Sequence, residues 1–291
     1  MAIEGYYLGC PSWGLKDWVG GLYHRDARAS DYLAEYARVF NAVEGNTTFY
    51  SLPPETSVAR WRQSTPEGFR FSFKLPRSIT HEHALEGADA ETTEFLERMA
   101  PLGERLGPFM IQLPPSFGPD RLEVLDRFLR RLPGGFHYAV ELRHRGFYDS
   151  EHAMERANDV LALYGAERVV LDTRALASGD PGHPDVAAAR RKKPHLPVEP
   201  IALGPHPLVR FVGHPDDAVN LPWMERWCRT LTRWIEHGRR PFVFVHCPND
   251  AHSPRLARRL HAMLAESVAV GTMPPWPGEE DEDAEGQMRL F

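Results

Sequence analysis

The sequence predicts an α/β fold, a single (β/α)8 TIM barrel, on three observations. Eight short apolar stretches recur along the chain, amphipathic helical patterns separate them, and a polar or charged residue stands at the C-terminal end of nearly every apolar stretch. Strands of a parallel sheet are buried on both faces and read as short apolar runs, whereas crossover helices carry one apolar stripe. With 291 residues, 42% of them hydrophobic, the chain suffices for one such barrel, which commonly takes about 250 residues. An open doubly wound sheet is the competing arrangement, and the lack of a GxGxxG after the first strand weighs against its dinucleotide-binding form.

Residues 6–10, YYLGC, form the first strand, and the Trp- and Gly-rich segment after them is a loop carrying aromatics. Ser30 caps a helix to Phe40, because Leu33, Tyr36, Ala37 and Phe40 fall on one face. The second strand runs straight out of it: Phe40, Ala42 and Val43 are apolar, and the chain turns polar at Glu44, Asn46, Thr47 and Thr48. A helix over 54–64 follows, with Pro near its start and Trp61 as core anchor, and then the alternating strand FRFSFK over 69–74. Helix 91–106, strand 109–113, helix 119–132, strand 137–142, helix 150–164 and strand 168–172 continue the alternation.

From 175 to 207 the pattern fails. Seven prolines and the basic run at 190–193 predict a long, extended or mobile loop over the mouth with at most one short helix. Strands at 208–212 and 242–246, a helix around 223–237 and a last helix over 254–266 complete a barrel domain of residues 1–271, and residues 272–291 read as an acidic, disordered tail.

Composition excludes several classes. No run of about 18 apolar residues exists, and no basic segment followed by an apolar one opens the chain, so a cytoplasmic protein without a membrane span is expected. Three widely spaced cysteines without CxxC spacing indicate neither a disulfide framework nor a structural zinc site. Of the net charge of -6, the last thirteen residues hold six acids against one Arg, which leaves the preceding body one charge short of neutral. Such a body has little autonomous affinity for nucleic acid. Lysine is scarce: only Lys16, Lys74, Lys192 and Lys193 occur.

Placed this way, the strands bring a ring of polar residues to their C-terminal ends: Ser12, Glu44 with Asn46, Lys74, Gln112, Glu141 with Arg143 and His144, Asp172, Arg210 with His214, and His246 with Asn249. Buried charges without partners are costly, so the ring implies mutual pairing, a ligand, or both. Glu44 and Glu141 suit an acid and a base, since carboxylates facing each other near a cation are driven to different pKa values. Lys74 and His144 complete the catalytic candidates, and Arg143 and Arg210 suit a phosphate or carboxylate held by bidentate hydrogen bonds. The purely structural alternative is a self-satisfied network with Lys74 between Glu44 and Glu141 and Arg210 on Asp172. No cofactor motif is present; Glu141, Asp172, His214 and His246 have ligand chemistry for a divalent metal, although HxH, HExxH and DxD spacings are missing. Trp13, Trp18, Phe49 and Tyr50 lie in the first two loops, placed either to stack on a sugar or base or to plug the barrel top.

GCPSW, AVEGNTTFYSLPP with WRQSTP behind it, FKLPRSITH, LGPFMIQLPPSF and AVELRHRGFY closely resemble the YecE-like family, the domain of unknown function 72, from about Tyr6 to Leu264. The resemblance implies a TIM barrel and no established activity. The family's marked residues fall on Trp13, Glu44, Asn46, Phe49, Tyr50, Lys74, His81, Gln112, Pro114, Glu141, Arg143 and His144. Its RLHG pattern in strand seven falls on RFVG at 210–213, so Val212 replaces His and His214 stands two places later, and of its last turn VHCPND keeps Asn249. The barrel is also distantly similar to xylose-isomerase-like proteins.

The last five residues break the acidic tail. Gln287, Met288, Arg289, Leu290 and Phe291 resemble the pentapeptide with which bacterial proteins bind the replication sliding clamp, Leu290 and Phe291 entering an apolar pocket, Met288 an adjoining dent, and Gln287 hydrogen-bonding. The expected function is a hydrolase acting on a phosphate-bearing substrate, in nucleic-acid processing or repair, recruited by the clamp. A carbohydrate-active hydrolase or isomerase using Glu44 and Glu141 is one alternative, a non-catalytic clamp adaptor the other.

Overall fold

A computed structural model describes residues 2–280. Eight parallel strands alternate with helices: β1 (Tyr7–Gly9), α1 (Tyr32–Val39), β2 (Ala42–Gly45), α2 (Glu55–Gln63), β3 (Arg70–Phe73), α3 (Asp89–Met99), β4 (Phe109–Gln112), α4 (Leu122–Arg131), β5 (Tyr138–Glu141), α5 (Glu151–Leu163), β6 (Glu167–Asp172), α6 (Arg174–Ser178), α7 (Pro184–Lys192), β7 (Leu208–Val212), α8 (Asp217–Glu236), β8 (Phe242–His246) and α9 (Ser253–Ala265). Six strands form one curled parallel sheet in the order β1-β8-β7-β6-β5-β4, and β2 pairs with β3. The two ladders are linked at both margins. Glu44 N–H donates to Cys10 O (3.0 Å), Gly107 N–H to Phe71 O (2.8 Å), and Leu75 N–H to Met110 O (3.0 Å). The fold is TIM-barrel-like.

The strands are buried on both faces, as their apolar runs require. Tyr7, Ala42, Met110, Ala139, Val169, Leu208, Phe242 and Phe244 form one buried cluster drawn from seven strands. The opposite faces meet the helices: α4 buries Leu122, Leu125, Phe128 and Leu129, and α9 buries Leu256, Ala257, Leu260 and Leu264, in each case residues three or four apart on one face. Among the described residues no helix is long and apolar enough to cross a membrane.

Three segments differ from the sequence reading. The 175–207 excursion carries two helices, because Pro184 sits in the first turn of α7, where its missing N–H is not needed. Leu176, Val186 and Ala189 of these helices pack on Leu171 and Val212, so the excursion is seated on the top of the sheet. Helix α8 begins at Asp217, six residues before the expected start, with Asp216 capping it (Oδ1 accepts from Ala218 N, 2.9 Å) and Pro222 tolerated inside. Of the segment expected to be disordered, residues 272–280 are docked: Glu279 takes both Arg258 nitrogens (2.6 and 2.9 Å), Arg258 lies over Trp276 at 3.7 Å, and Glu280 pairs with Arg38 (2.8 Å). Gln287, Met288, Leu290 and Phe291 lie outside the described residues.

Candidate functional site at the strand C-termini

Strand parity decides what enters the barrel. Side chains alternate along a strand, so residues two places after an interior residue are interior as well. Glu44 follows Ala42, Gln112 follows Met110, Glu141 follows Ala139, Arg210 follows Leu208 and His246 follows Phe244 by two places each, and all five are buried at the C-terminal ends. Asp172 lies three after Val169 and faces outward. It accepts from Arg174 Nε (3.0 Å), Arg174 Nη2 (2.8 Å) and Trp227 Nε1 of α8 (2.7 Å), so it stands apart from the inward ring, and the Arg210–Asp172 pair of the purely structural alternative does not form.

Arg210 is the hub. Its Nε and Nη2 donate to the two oxygens of Glu44, each at 2.8 Å, and its Nη1 donates to Glu141 Oε2 at 2.6 Å. Arg143 Nε holds the other oxygen of Glu141, and Arg143 Nη2 donates to Gln112 Oε1 at 3.0 Å. His246 Nε2 lies 3.1 Å from Glu44 Oε2; since that carboxylate only accepts, the proton sits on Nε2. Lys74 Nζ stands 3.7 Å from Glu44 Oε1, too far for a hydrogen bond, and 5.9 Å from the Phe49 ring centroid. Glu44, Lys74, Gln112, Glu141, Arg143 and Arg210 therefore converge.

The charge states are not those of an acid–base pair of carboxylates. Burial drives the Glu44 carboxyl upward, but Arg210, His246 and Lys74 together outweigh it and hold it well below the usual range. Burial also opposes ionisation of Glu141, yet Arg143, Arg210 and Lys74 bring it down to about 2. Both carboxylates are thus ionised on one guanidinium. Burial, aided by Arg210, instead pushes the Lys74 ammonium down to about 7, against the pull of Glu44 and Glu141. His246 falls to about 3, chiefly through burial, and is neutral.

Around this centre Phe49 and His81 meet edge to face with centroids 5.1 Å apart, and burial with nearby Arg143, Arg77 and Lys74 lowers the His81 pKa. Asn46 Nδ2 donates to Pro11 O (2.9 Å), while its buried Oδ1 has no hydrogen-bond partner. The other proposed residues do local work. Trp13 packs edge-on against Trp61 and Phe71, as a plug of the aromatic layer. Tyr50 is 80% exposed. His144 Nδ1 accepts from Gly146 N (2.9 Å) and Asn249 Oδ1 from Ala251 N (3.0 Å), so each caps its own turn. His214 Nδ1 accepts from Asp216 N (3.0 Å), and its buried Nε2 has no partner.

One contributor was not among the residues of the predicted ring. Lys193, just past α7, is pushed down to about 8 by burial and by Arg210, and it also feels Glu44, Asp250 and Glu141. Its neighbour Arg190 is spent on the carbonyl oxygens of Leu176 and Gly179 (3.1 and 3.3 Å), so only part of the basic run turns to the ring. The rarity of lysine and the basic run at 190–193, expected over the mouth, were the signals pointing to Lys193. Glu141, Asp172, His214 and His246 are committed to four different partner sets, and among the described residues no group of three or more His, Cys, Asp or Glu is placed to hold a metal ion.

Comparison with known proteins gives a consistent picture. A family model described as "Protein of unknown function DUF72" matches residues 7–280. The UPF0759 protein YecE of Escherichia coli K12 is 39% identical over 272 residues, covering 93% of this chain and 97% of the relative. Crystal structures of DUF72 family proteins from Enterococcus faecalis (TM-score 0.70, 20% identity, 93% of this chain and 98% of that one) and Thermotoga maritima (TM-score 0.69, 24% identity, 89% and 99%) share the fold.

Proposed function

This chain belongs to the DUF72 family, and from that premise we propose that the mouth of a closed (β/α)8 barrel is the active site of an enzyme that binds a phosphate-bearing substrate at Lys74 and Arg143 and exchanges a proton through Lys74. The observation that carries the reading is the state of Lys74. Its amine has no hydrogen bond among the described residues, titrates near neutrality, and keeps 10% of its side chain exposed, with Arg143 at 15% beside it. A general base works best with a pKa near the working pH, and an incoming anion stabilises the ammonium that forms. Burial, with Arg210 and Arg143, lowers the amine's pKa, and Glu44 and Glu141 pull against them. Closure of the barrel is supported by the hydrogen bonds between the two ladders and by the interior cluster from seven strands.

The geometry gives less to the carbohydrate alternative. Glycosidic cleavage with paired carboxylates needs one of them protonated, and here both are held ionised by cations. The test is titration calorimetry with inorganic phosphate and with a short oligonucleotide over a salt series. Binding of either, lost in Lys74→Met and Arg143→Gln, is expected; a steep salt slope for the oligonucleotide assigns a nucleic-acid substrate. Salt-independent binding of a neutral sugar would overturn the reading.

For recruitment by the sliding clamp, the support is the sequence of residues 287–291. A peptide of the final ten residues is expected to bind the bacterial clamp with roughly micromolar affinity and to lose it when Leu290 and Phe291 become Ala. No binding at about 100 micromolar removes the clamp from the proposal.

A further inference from the structure

The opposite end of the barrel holds a cavity of about 470 Å³ that the mouth chemistry does not use. It opens where β1, β3, β7 and β8 begin, and its size is that of a small-molecule site, about 300–1,000 Å³. Its inner wall is Tyr7, stacked on Phe242 with ring centroids 4.3 Å apart. Two guanidiniums approach that one ring: Arg70 at 5.7 Å and Arg240 at 5.1 Å from its centroid. Neither has a carboxylate within ion-pair distance among the described residues, although Glu104 lies in the same lining. Arg70 spends Nη1 on the carbonyls of Glu67 and Phe69 (2.8 and 3.0 Å), which aims the guanidinium and leaves its other nitrogens open.

Two imidazoles close the cavity. His137 and His206 meet edge to face at 5.1 Å, and His206 Nδ1 is 3.2 Å from Arg240 O. Burial, with His206 beside it, lowers the His137 pKa, while Glu167 behind the pair pulls it upward. The C-terminal ends of the barrel helices point to this side, and their partial negative charge accounts for arginines being here. It does not account for two of them converging on one buried ring in a cavity rather than spreading over the helix ends.

We infer that this cavity is a binding site for an organic phosphate carrying a flat ring, a molecule of nucleoside-monophosphate class. Arg70 and Arg240 take the phosphate, for which guanidinium forks are the fitted donors, and the rings of His137 and His206 stand beside them. The aromatic wall of Tyr7, Phe136 and Phe242 receives the ring.

The test uses the full chain and AMP, followed by histidine ring NMR and calorimetry, with inorganic phosphate as the comparison. AMP is expected to shift His137 and His206, to raise the His137 pKa, and to bind about tenfold tighter than inorganic phosphate, because only AMP brings a ring to the wall. Arg240→Gln, on an exposed side chain, and Arg70→Lys should each weaken AMP about tenfold or more while Lys74→Met leaves it unchanged. Absence of any shift at His137 and His206, equal affinity for inorganic phosphate, or loss of AMP binding in Lys74→Met but not in Arg240→Gln would each overturn the assignment.

Discussion

The two ends of the barrel use the same residue types in opposite ways. At the C-terminal end Arg210 is saturated, with three nitrogens on the carboxylates of Glu44 and Glu141, and burial forces every charge to have its partner. At the N-terminal end Arg70 and Arg240 stand over Tyr7 with no carboxylate paired to either among the described residues. The difference is one of solvation. A charge sealed from water must be neutralised within the protein, so mouth charges set the fold's stability and one another's pKa values. A charge that water still reaches can wait for a ligand. Substitution of the saturated Arg210 and of the unpaired Arg240 should therefore separate stability from binding.

The largest effect is expected from Arg210→Leu. It leaves Glu44 and Glu141 buried with only His246, Lys74 and Arg143 nearby, and removing one partner of a buried ionic network costs about 3–5 kcal/mol. Urea unfolding reads it directly, and a loss below about 1 kcal/mol would place the mouth's charges in water and dissolve the contrast between the ends.

Next comes the pH response of Lys74. An unfolded lysine titrates near 10.4 and this one near 7, so between those values the unfolded chain binds more protons and stability must rise with pH. The penalty for the buried ammonium is complete below about pH 7 and fades towards pH 10. The lowered Glu44 and Glu141 values act elsewhere: their stabilisation is present above the unfolded carboxylate range and fades only as pH falls towards 2. Lys74→Met should therefore lessen the rise of the melting temperature between pH 7 and 10, leaving the part that Lys193 contributes above about pH 8, and keep the acid limb in place. An unchanged slope in the variant sinks the near-neutral lysine, and with it the proposed proton transfer.

A smaller effect is expected from His144→Ala. Its Nδ1 accepts from Gly146 N, and loss of such a cap costs about 1 kcal/mol. Substrate binding at Lys74 should survive. Loss of binding with stability intact would return His144 to the catalytic group.

The history of these residues in the sequence explains what could be read there. The strand and helix periods are written in the apolar spacing, so all eight strands were legible, and Glu44, Glu141 and Arg210 announced themselves as charges inside apolar runs. Asp172 was misassigned although the same alternation, counted from Val169 and Leu171, already put it on the outer face. Partner choice was less accessible. That Arg210 bridges two carboxylates from β2 and β5 is a long-range fact that no local pattern encodes. The docking of 272–280 was hidden for another reason: a Pro- and acid-rich composition signals disorder, but Trp276 and Glu279 find Arg258 on α9. The pocket around Tyr7 left no trace at all, because Arg240, His137 and His206 come from loops before strands and Arg70 opens β3, positions where charged residues are the rule.

The smallest effect is the one that sharpens the comparison most. Arg240 is exposed, pairs with no carboxylate among the described residues, and touches the fold through the face of Tyr7. A cation–π contact at an exposed site is worth about 0.5–1 kcal/mol, and exposed substitutions away from caps and cores usually change stability by less than about 0.5 kcal/mol. Arg240→Gln should therefore unfold within about 1 kcal/mol of the parent protein, where Arg210→Leu loses several times as much. Its signature lies in binding, because Arg240 is one of the two cations offered to a phosphate at that end. If Arg240→Gln destabilises the protein as strongly as Arg210→Leu does, the guanidinium is a structural tie of the barrel foot, and the N-terminal end has no free charge to offer a ligand.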